Sequence, residues 1–181
     1  YGIVKSLKDS GYNLHITGGS IYENHIGSVI CDDFVKVPKT LSPDYIHWFR
    51  EFFSNNTFDL LIPGIEDDMK AWNKLRNDFK KTRFLLNNES LINLCSDKWF
   101  FFQKLESLDI NCRIDSAIDQ NYEYLLEKFG NQFIAKPRDG YGSKGFSLIT
   151  CRDEFEKAKS NLGDKILYQK YISEHEGEYT C

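Results

Sequence analysis

The segment FIAKPRDGYGSKG, Phe133 to Gly145, joins an apolar strand to a lysine and then to a glycine-rich, cationic loop. Phe133, Ile134 and Ala135 read as a buried strand, and Pro137 biases Lys136 towards extended backbone, which puts an ammonium at a strand end. The loop that follows holds Gly140, Gly142 and Gly145, which can take positive φ and so let successive backbone N–H groups approach an anion. Arg138 and Lys144 bring charge nearby. Phosphate binding is the chemistry this pattern suits. The same residues also suit a glycine-rich hairpin carrying solvated lysines, so the loop must be weighed with its surroundings.

Two further segments stand in order around it. In CSDKWFFFQKL, Ser96 can cap a helix whose first turn contains Lys98, a place where the helix dipole disfavours a cation unless an anion is bound. Downstream, Ile166 to Ile172 reads as a strand and leads into an acidic run with Glu174, Glu176 and Glu178. Such a strand can offer its backbone to an adenine edge while a carboxylate accepts ribose hydroxyls. Taken singly, Lys98 also reads as a solvated helix lysine and Glu176 as a loop charge. Their order and spacing around the glycine loop carry the inference.

The elements that must position these residues alternate between helix and strand signals. Ile3, Val4 and Leu7 mark a helix ending near Gly11, Asn13 to Thr17 a strand, and Gly18-Gly19 a turn. Asp33 to Val37 is a strand closed by Pro38, and Ser42 with Pro43 starts a helix bearing Ile46, Phe49 and Phe53 on one face. Phe58 to Ile62 is a strand, followed by a helix with Met69, Trp72, Leu75 and Phe79 on one face and then a strand from Arg83 to Leu86. This order is what parallel strands with crossover helices require. Glu66, Asp67 and Asp68 fall at the carboxyl edge of one such strand, where substrates bind in open α/β sheets and where helix N-termini also favour acids. Asn87 to Ser96 reads as a polar connection between domains. Beyond it come a helix with Tyr122, Leu125, Leu126 and Phe129, the strand at Phe133, a strand from Phe146 to Thr150, and a helix with Phe155, Ala158 and Leu162.

In these motifs the chain resembles the ATP-grasp superfamily over nearly all of its length, and most closely the carbamoyl-phosphate-synthase-like ligases within it. The resemblance implies an α/β fold with two parts. Residues 1–93 would form a Rossmann-like pre-ATP-grasp domain with a parallel sheet, and residues 94–181 the N-terminal part of an ATP-grasp domain, with the glycine loop in its α+β lid. It implies ATP as cofactor, with Lys98 and Lys136 on the phosphates and the loop residues Gly140, Gly142, Ser143, Lys144 and Gly145 covering them. Gln169, Lys170, Tyr171 and Ile172 would form the adenine hinge, and Glu176 or Glu178 would hold the ribose. Glu66 and Asp67 stand as substrate contacts.

The implied reaction is phosphorylation of a carboxylate by ATP, followed by amine attack on the acyl phosphate to give an amide. Its partners are a small-molecule carboxylate and a small-molecule amine, and a homodimer is compatible with them. No residue here must serve as nucleophile or general base. The LLIPGIEDDM segment, Leu60 to Met69, is similar to ligases of bacterial surface-polysaccharide pathways. The chain opens at Tyr1 inside what reads as the first helix and ends at Cys181, ahead of the family's magnesium-binding acids. The expectation is therefore a fragment, inactive alone, with the Mg2+ ligands beyond residue 181. A carbamoyl-phosphate-synthase-type phosphotransferase and a non-catalytic nucleotide-binding module stay open beside the ligase.

Composition agrees with folded domains in the cytoplasm. A 41% hydrophobic content with 14 Phe, 10 Tyr and 3 Trp is ample for buried cores. The formal net charge of −4 gives no overall basic field, so no nucleic-acid partner is expected. No apolar run approaches the roughly 20 residues of a membrane helix. The five cysteines and four histidines are scattered without metal-ligand spacing, so no metal site is expected among them.

Overall fold

A computed structural model describes residues 2–110, 113–140 and 142–173 and divides the chain into two units, Tyr1–Leu85 and Leu86–Cys181. The first unit runs α1 (Gly2–Lys8), β1 (Thr17–Ser20), α2 (Gly27–Ile30), β2 (Asp33–Lys36), α3 (Tyr45–Asn55), β3 (Leu60–Leu61), α4 (Glu66–Leu75) and β4 (Arg83–Phe84). β1 pairs with β2 and β3 with β4, both in parallel. Each pair is joined across a helix, since parallel neighbours need a crossover. Among the described residues these are two separate two-stranded ladders.

Aromatic residues at helical spacing build the core of this unit. Tyr45 and Phe49 of α3 are buried with Leu61 and Leu75, and the Phe49 ring, fully shielded from solvent, lies against Tyr45, Phe53, Trp72, Phe79 and Phe84. Phe79 lies past the end of α4 but joins the same cluster.

Two local expectations are corrected here. Gly18 and Gly19 do not turn but form the middle of β1, because the strand runs so close to its neighbours that a Cβ on Gly18 would sit 2.8 Å from Cys31 Sγ. Ser42 does not cap α3. Its carbonyl accepts the Tyr45 N–H in a preceding turn, and Asp44 occupies the cap position.

The second unit runs α5 (Glu89–Ser96), α6 (Lys98–Ser107), β5 (Ser116–Ala117), α7 (Tyr122–Phe129), β6 (Phe133–Pro137), β7 (Ser147–Ile149), α8 (Arg152–Leu162), a 3-10 turn (Gly163–Lys165) and β8 (Ile166–Lys170). The segment expected as a polar connection is the helix α5. Its Asn88 side chain accepts the Leu91 N–H, and Ile92 is buried. The strands form one antiparallel sheet in the order β5-β8-β6-β7.

Side chains alternate across a strand, and this sheet uses the alternation fully. Phe133 and Ala135 of β6, Ile166 and Tyr168 of β8, Ala117 of β5 and Ile149 of β7 pack with Leu125 and Phe129 of α7 and Phe155 and Ala158 of α8. The intervening residues Lys136, Gln169 and Ser116 belong to the opposite face. No helix among the described residues is long and apolar enough to cross a membrane.

Candidate functional site

Lys98 is the first residue of α6, and its position is set by the residue before it. Asp97 has extended backbone and its Oδ1 accepts the N–H groups of Trp99 at 2.9 Å and Phe100 at 3.4 Å. Asp97 is therefore the cap expected of Ser96, whose hydroxyl donates instead to the Ile92 carbonyl at the end of α5. A carboxylate at this point also complements the helix dipole. Burial alone would raise the Asp97 carboxyl, but the Arg138 guanidinium and the two capped N–H groups outweigh it and hold it below the usual aspartate range.

The N-terminus of α6 is laced to the glycine loop. Lys98 N–H donates to the Arg138 carbonyl at 2.8 Å, and Lys98 Nζ donates to the Gly140 carbonyl at 2.8 Å. Lys136 approaches from β6, on the face opposite the aromatic core. Its Nζ donates to Gln169 Oε1 at 2.6 Å. Burial, and then the charge of Lys98, hold the Lys136 ammonium below the ordinary lysine range.

The loop between β6 and β7 needs glycine at its closing end. Gly145 has φ +76°, and a Cβ there would meet Pro137 Cγ at 2.8 Å. Gly145 thus packs the end of the loop back onto β6.

Lys98, Lys136, Asp139, Gly140, Gly142, Ser143 and Lys144 line one cavity of about 220 Å³. Small-molecule sites commonly measure about 300–1,000 Å³, so this space has room for the phosphate end of a nucleotide rather than the whole of it. Two amines from different elements, backbone of a glycine loop and a hydroxyl meet there. That set can bind a polyanion and neutralise charge that develops on it.

Gln169 reaches the cavity through Lys136, and its amide nitrogen donates to Ser116 Oγ at 2.9 Å. The Lys170 N–H donates to the Asp115 carbonyl at 3.0 Å, and Lys170, Tyr171 and Ile172 line a second hollow of about 210 Å³ together with Arg113. Glu66 lies in the first turn of α4 in the first unit, paired with Lys70 at 2.7 Å, and Asp67 lies beside it. Glu176 and Glu178 lie outside the described residues. Two participants had not been foreseen. Asp97 could have been found as an aspartate immediately ahead of a helix, whereas Ser116, in a strand of two residues, gives no sequence signal. No group of three or more His, Cys, Asp or Glu among the described residues could hold a metal ion.

Comparison with known proteins bears on the same stretch. Residues 95–178 match the ATP-grasp domain family. No curated protein matches the chain. Among solved structures, the biotin carboxylase domain dimer of Hydrogenobacter thermophilus 2-oxoglutarate carboxylase, in complex with MgADP, ADP and bicarbonate, superposes with a TM-score of 0.69 at 16% identity, over 95% of this chain and 42% of that one. N5-carboxyaminoimidazole synthetase from Staphylococcus aureus, complexed with ADP, gives 0.68 at 16% identity, over 95% of this chain and 44% of that one. The D-alanine-D-alanine ligase from Coxiella burnetii gives 0.56 at 18% identity, over 73% and 47%. The chain shares a mixed α/β fold with these proteins and spans less than half of their length.

Proposed function

We propose that this chain carries the phosphate-gripping part of an ATP-dependent ligase that joins a small carboxylate to a small amine. The supporting observation is the convergence of Lys98 and Lys136, from a helix start and a strand end, on one cavity bounded by the glycine loop. A free carboxylate resists attack because oxide is a poor leaving group. In the first step a carboxylate oxygen bonds to the γ-phosphorus of ATP and ADP leaves. In the second the amine nitrogen bonds to the acyl carbon and inorganic phosphate leaves.

The chain's share is positioning and charge. Lys98, Lys136 and the loop amides would hold the transferring phosphoryl group and offset its negative charge, and the loop would keep water from the acyl phosphate. Magnesium, when bound, supplies further neutralisation of the phosphates. Three acids do not converge among the described residues, so no step is assigned through the metal.

The same reading gives Gln169 to Ile172 to the adenine, Glu176 or Glu178 to the ribose, and Glu66 with Asp67 to the substrate side. It takes residues 1–93 as a Rossmann-like domain, supported by the parallel units β1–α2–β2 and β3–α4–β4, and residues 94–181 as the first part of the grasp domain. The carbamoyl-phosphate-synthase-like subclass rests on the sequence motifs, and a cytoplasmic setting on composition.

The test is ligand-linked stability. ATP or ADP at millimolar concentration is expected to raise the Tm, because binding to the native state stabilises it by mass action. Lys136→Ala is expected to remove most of that rise. A folded protein whose Tm ignores both nucleotides would overturn the reading.

A further inference from the structure

The side-chain amide of Gln169 has two unlike ends, and only one of them can usefully face an ammonium. Its oxygen accepts from Lys136 Nζ at 2.6 Å, and its nitrogen donates to Ser116 Oγ at 2.9 Å. Ser116 stands directly opposite Gln169 in the β5–β8 ladder and is 3% exposed. Its hydroxyl donates to the Ile114 carbonyl at 3.0 Å.

A hydroxyl has one proton, and a carbonyl can only accept. With that proton committed to Ile114, the Ser116 oxygen faces Gln169 as an acceptor and has to receive an N–H. The Gln169 oxygen is thereby left for Lys136. Turning the amide round would set an NH2 group against an ammonium, and the Ser116 hydroxyl could meet the C=O only by giving up the Ile114 carbonyl. Polar groups would be left unmet in a setting where that is costly.

We infer that Ser116 is a positioning residue, which fixes the orientation of Gln169 so that the partner holding the Lys136 ammonium in the cavity is a neutral oxygen, which leaves the amine its charge. A carboxylate at position 169 would hold the amine equally well but would neutralise it. The cavity then keeps the charge of Lys136 beside that of Lys98 from α6, with Asp139 and Lys144 facing from the loop. The use of that charge on a nucleotide phosphate rests on the proposed function; the orientation of Gln169 does not.

The experiment is pulse acetylation of the full chain with acetic anhydride across a pH series, read at Lys136 by peptide mass spectrometry. Exposed Lys5 serves as the reagent reference, and samples are run with and without ADP. In Ser116→Ala the amide is free to turn and the ammonium loses its acceptor. Lys136 should then be acetylated roughly tenfold faster at any pH below its titration, the effect of a hydrogen bond to a charged group. Ser116→Thr, which keeps the hydroxyl, should return the native rate. In Gln169→Glu both oxygens can accept, so adding Ser116→Ala should change nothing further. An unchanged Lys136 rate in Ser116→Ala, or a Ser116 effect that persists in the Gln169→Glu background, overturns the inference. Failure of ADP to protect Lys136 in the native chain counts instead against the nucleotide reading and leaves the comparison of variants intact.

Discussion

Asp97 grips Arg138 with both Nε and Nη2, at 3.1 and 2.8 Å to Oδ2, while its other oxygen caps the helix that begins at Lys98. One carboxylate thus ties the start of α6 to the base of the glycine loop, and the Arg138 guanidinium also lies 5.2 Å over the Phe100 ring. The folded-state pKa of Asp97 is depressed, so its contribution is complete above the unfolded value and is lost as pH falls through the lower folded one. Asp97→Asn is expected to cost about 1–3 kcal/mol at neutral pH, with the difference from the native chain beginning to close below about pH 4. Urea denaturation of both proteins across that range measures it. A difference that stays constant down to strong acid would show that the charge is not what the pair contributes.

In the role proposed for it, Lys136 sets stability against binding. Its folded-state pKa lies below its unfolded value, chiefly through burial, so the charged amine costs folded stability at every pH below that depressed value. The cost fades as pH rises through it. Lys136→Met is expected to change stability little at neutral pH, because relief of the buried charge is offset by the Gln169 oxygen left without its donor, while abolishing the response to nucleotide. Thermal melts with and without ADP decide this, and marked destabilisation by the substitution would refute the burial argument.

Two loop glycines make a matched pair. Gly145→Ala combines positive φ with a contact into Pro137, whereas Gly140, at φ +99°, has open space around its Cβ direction. Gly145→Ala should therefore be the more destabilising by at least about 1 kcal/mol, since the left-handed strain is common to both and the overlap is not. Chemical denaturation of the two variants gives the comparison.

In the first unit, Phe49 is the residue on which the aromatic cluster converges, with no exposed surface. Phe49→Ala is expected to cost about 3–5 kcal/mol and Phe49→Leu clearly less, as the residual cavity shrinks. Similar losses for the two would mean that the neighbouring rings collapse into either space.

Much of this organisation was readable because it rests on local patterns. The glycine loop, Lys136 at its strand end, and the helices through Leu125 and Phe155 all follow from apolar period, Pro137 and the glycines. What escaped depended on neighbours far along the chain. Gly18 reads as a turn until Cys31 is known to press against it, and Ser116 reads as nothing until β8 lies alongside. The capping error at Ser96 had a different origin, because two helices meet there without a linker and the serine ends one while Asp97 starts the next. Asn87 to Ser96 misled for a related reason: its polar residues coat a helix whose single buried side chain is Ile92.

The division of β6 into an oily side and a charged side has an implication for how this segment can change length. Adding or deleting one residue between Phe133 and Lys136 would put both on one side, so that either the amine is driven in among Phe155 and Tyr168 or the benzyl ring is turned out onto the face that carries Lys136. Indels here are tolerable only in even numbers, and odd ones must be absorbed beyond Pro137, where the turn can take up slack.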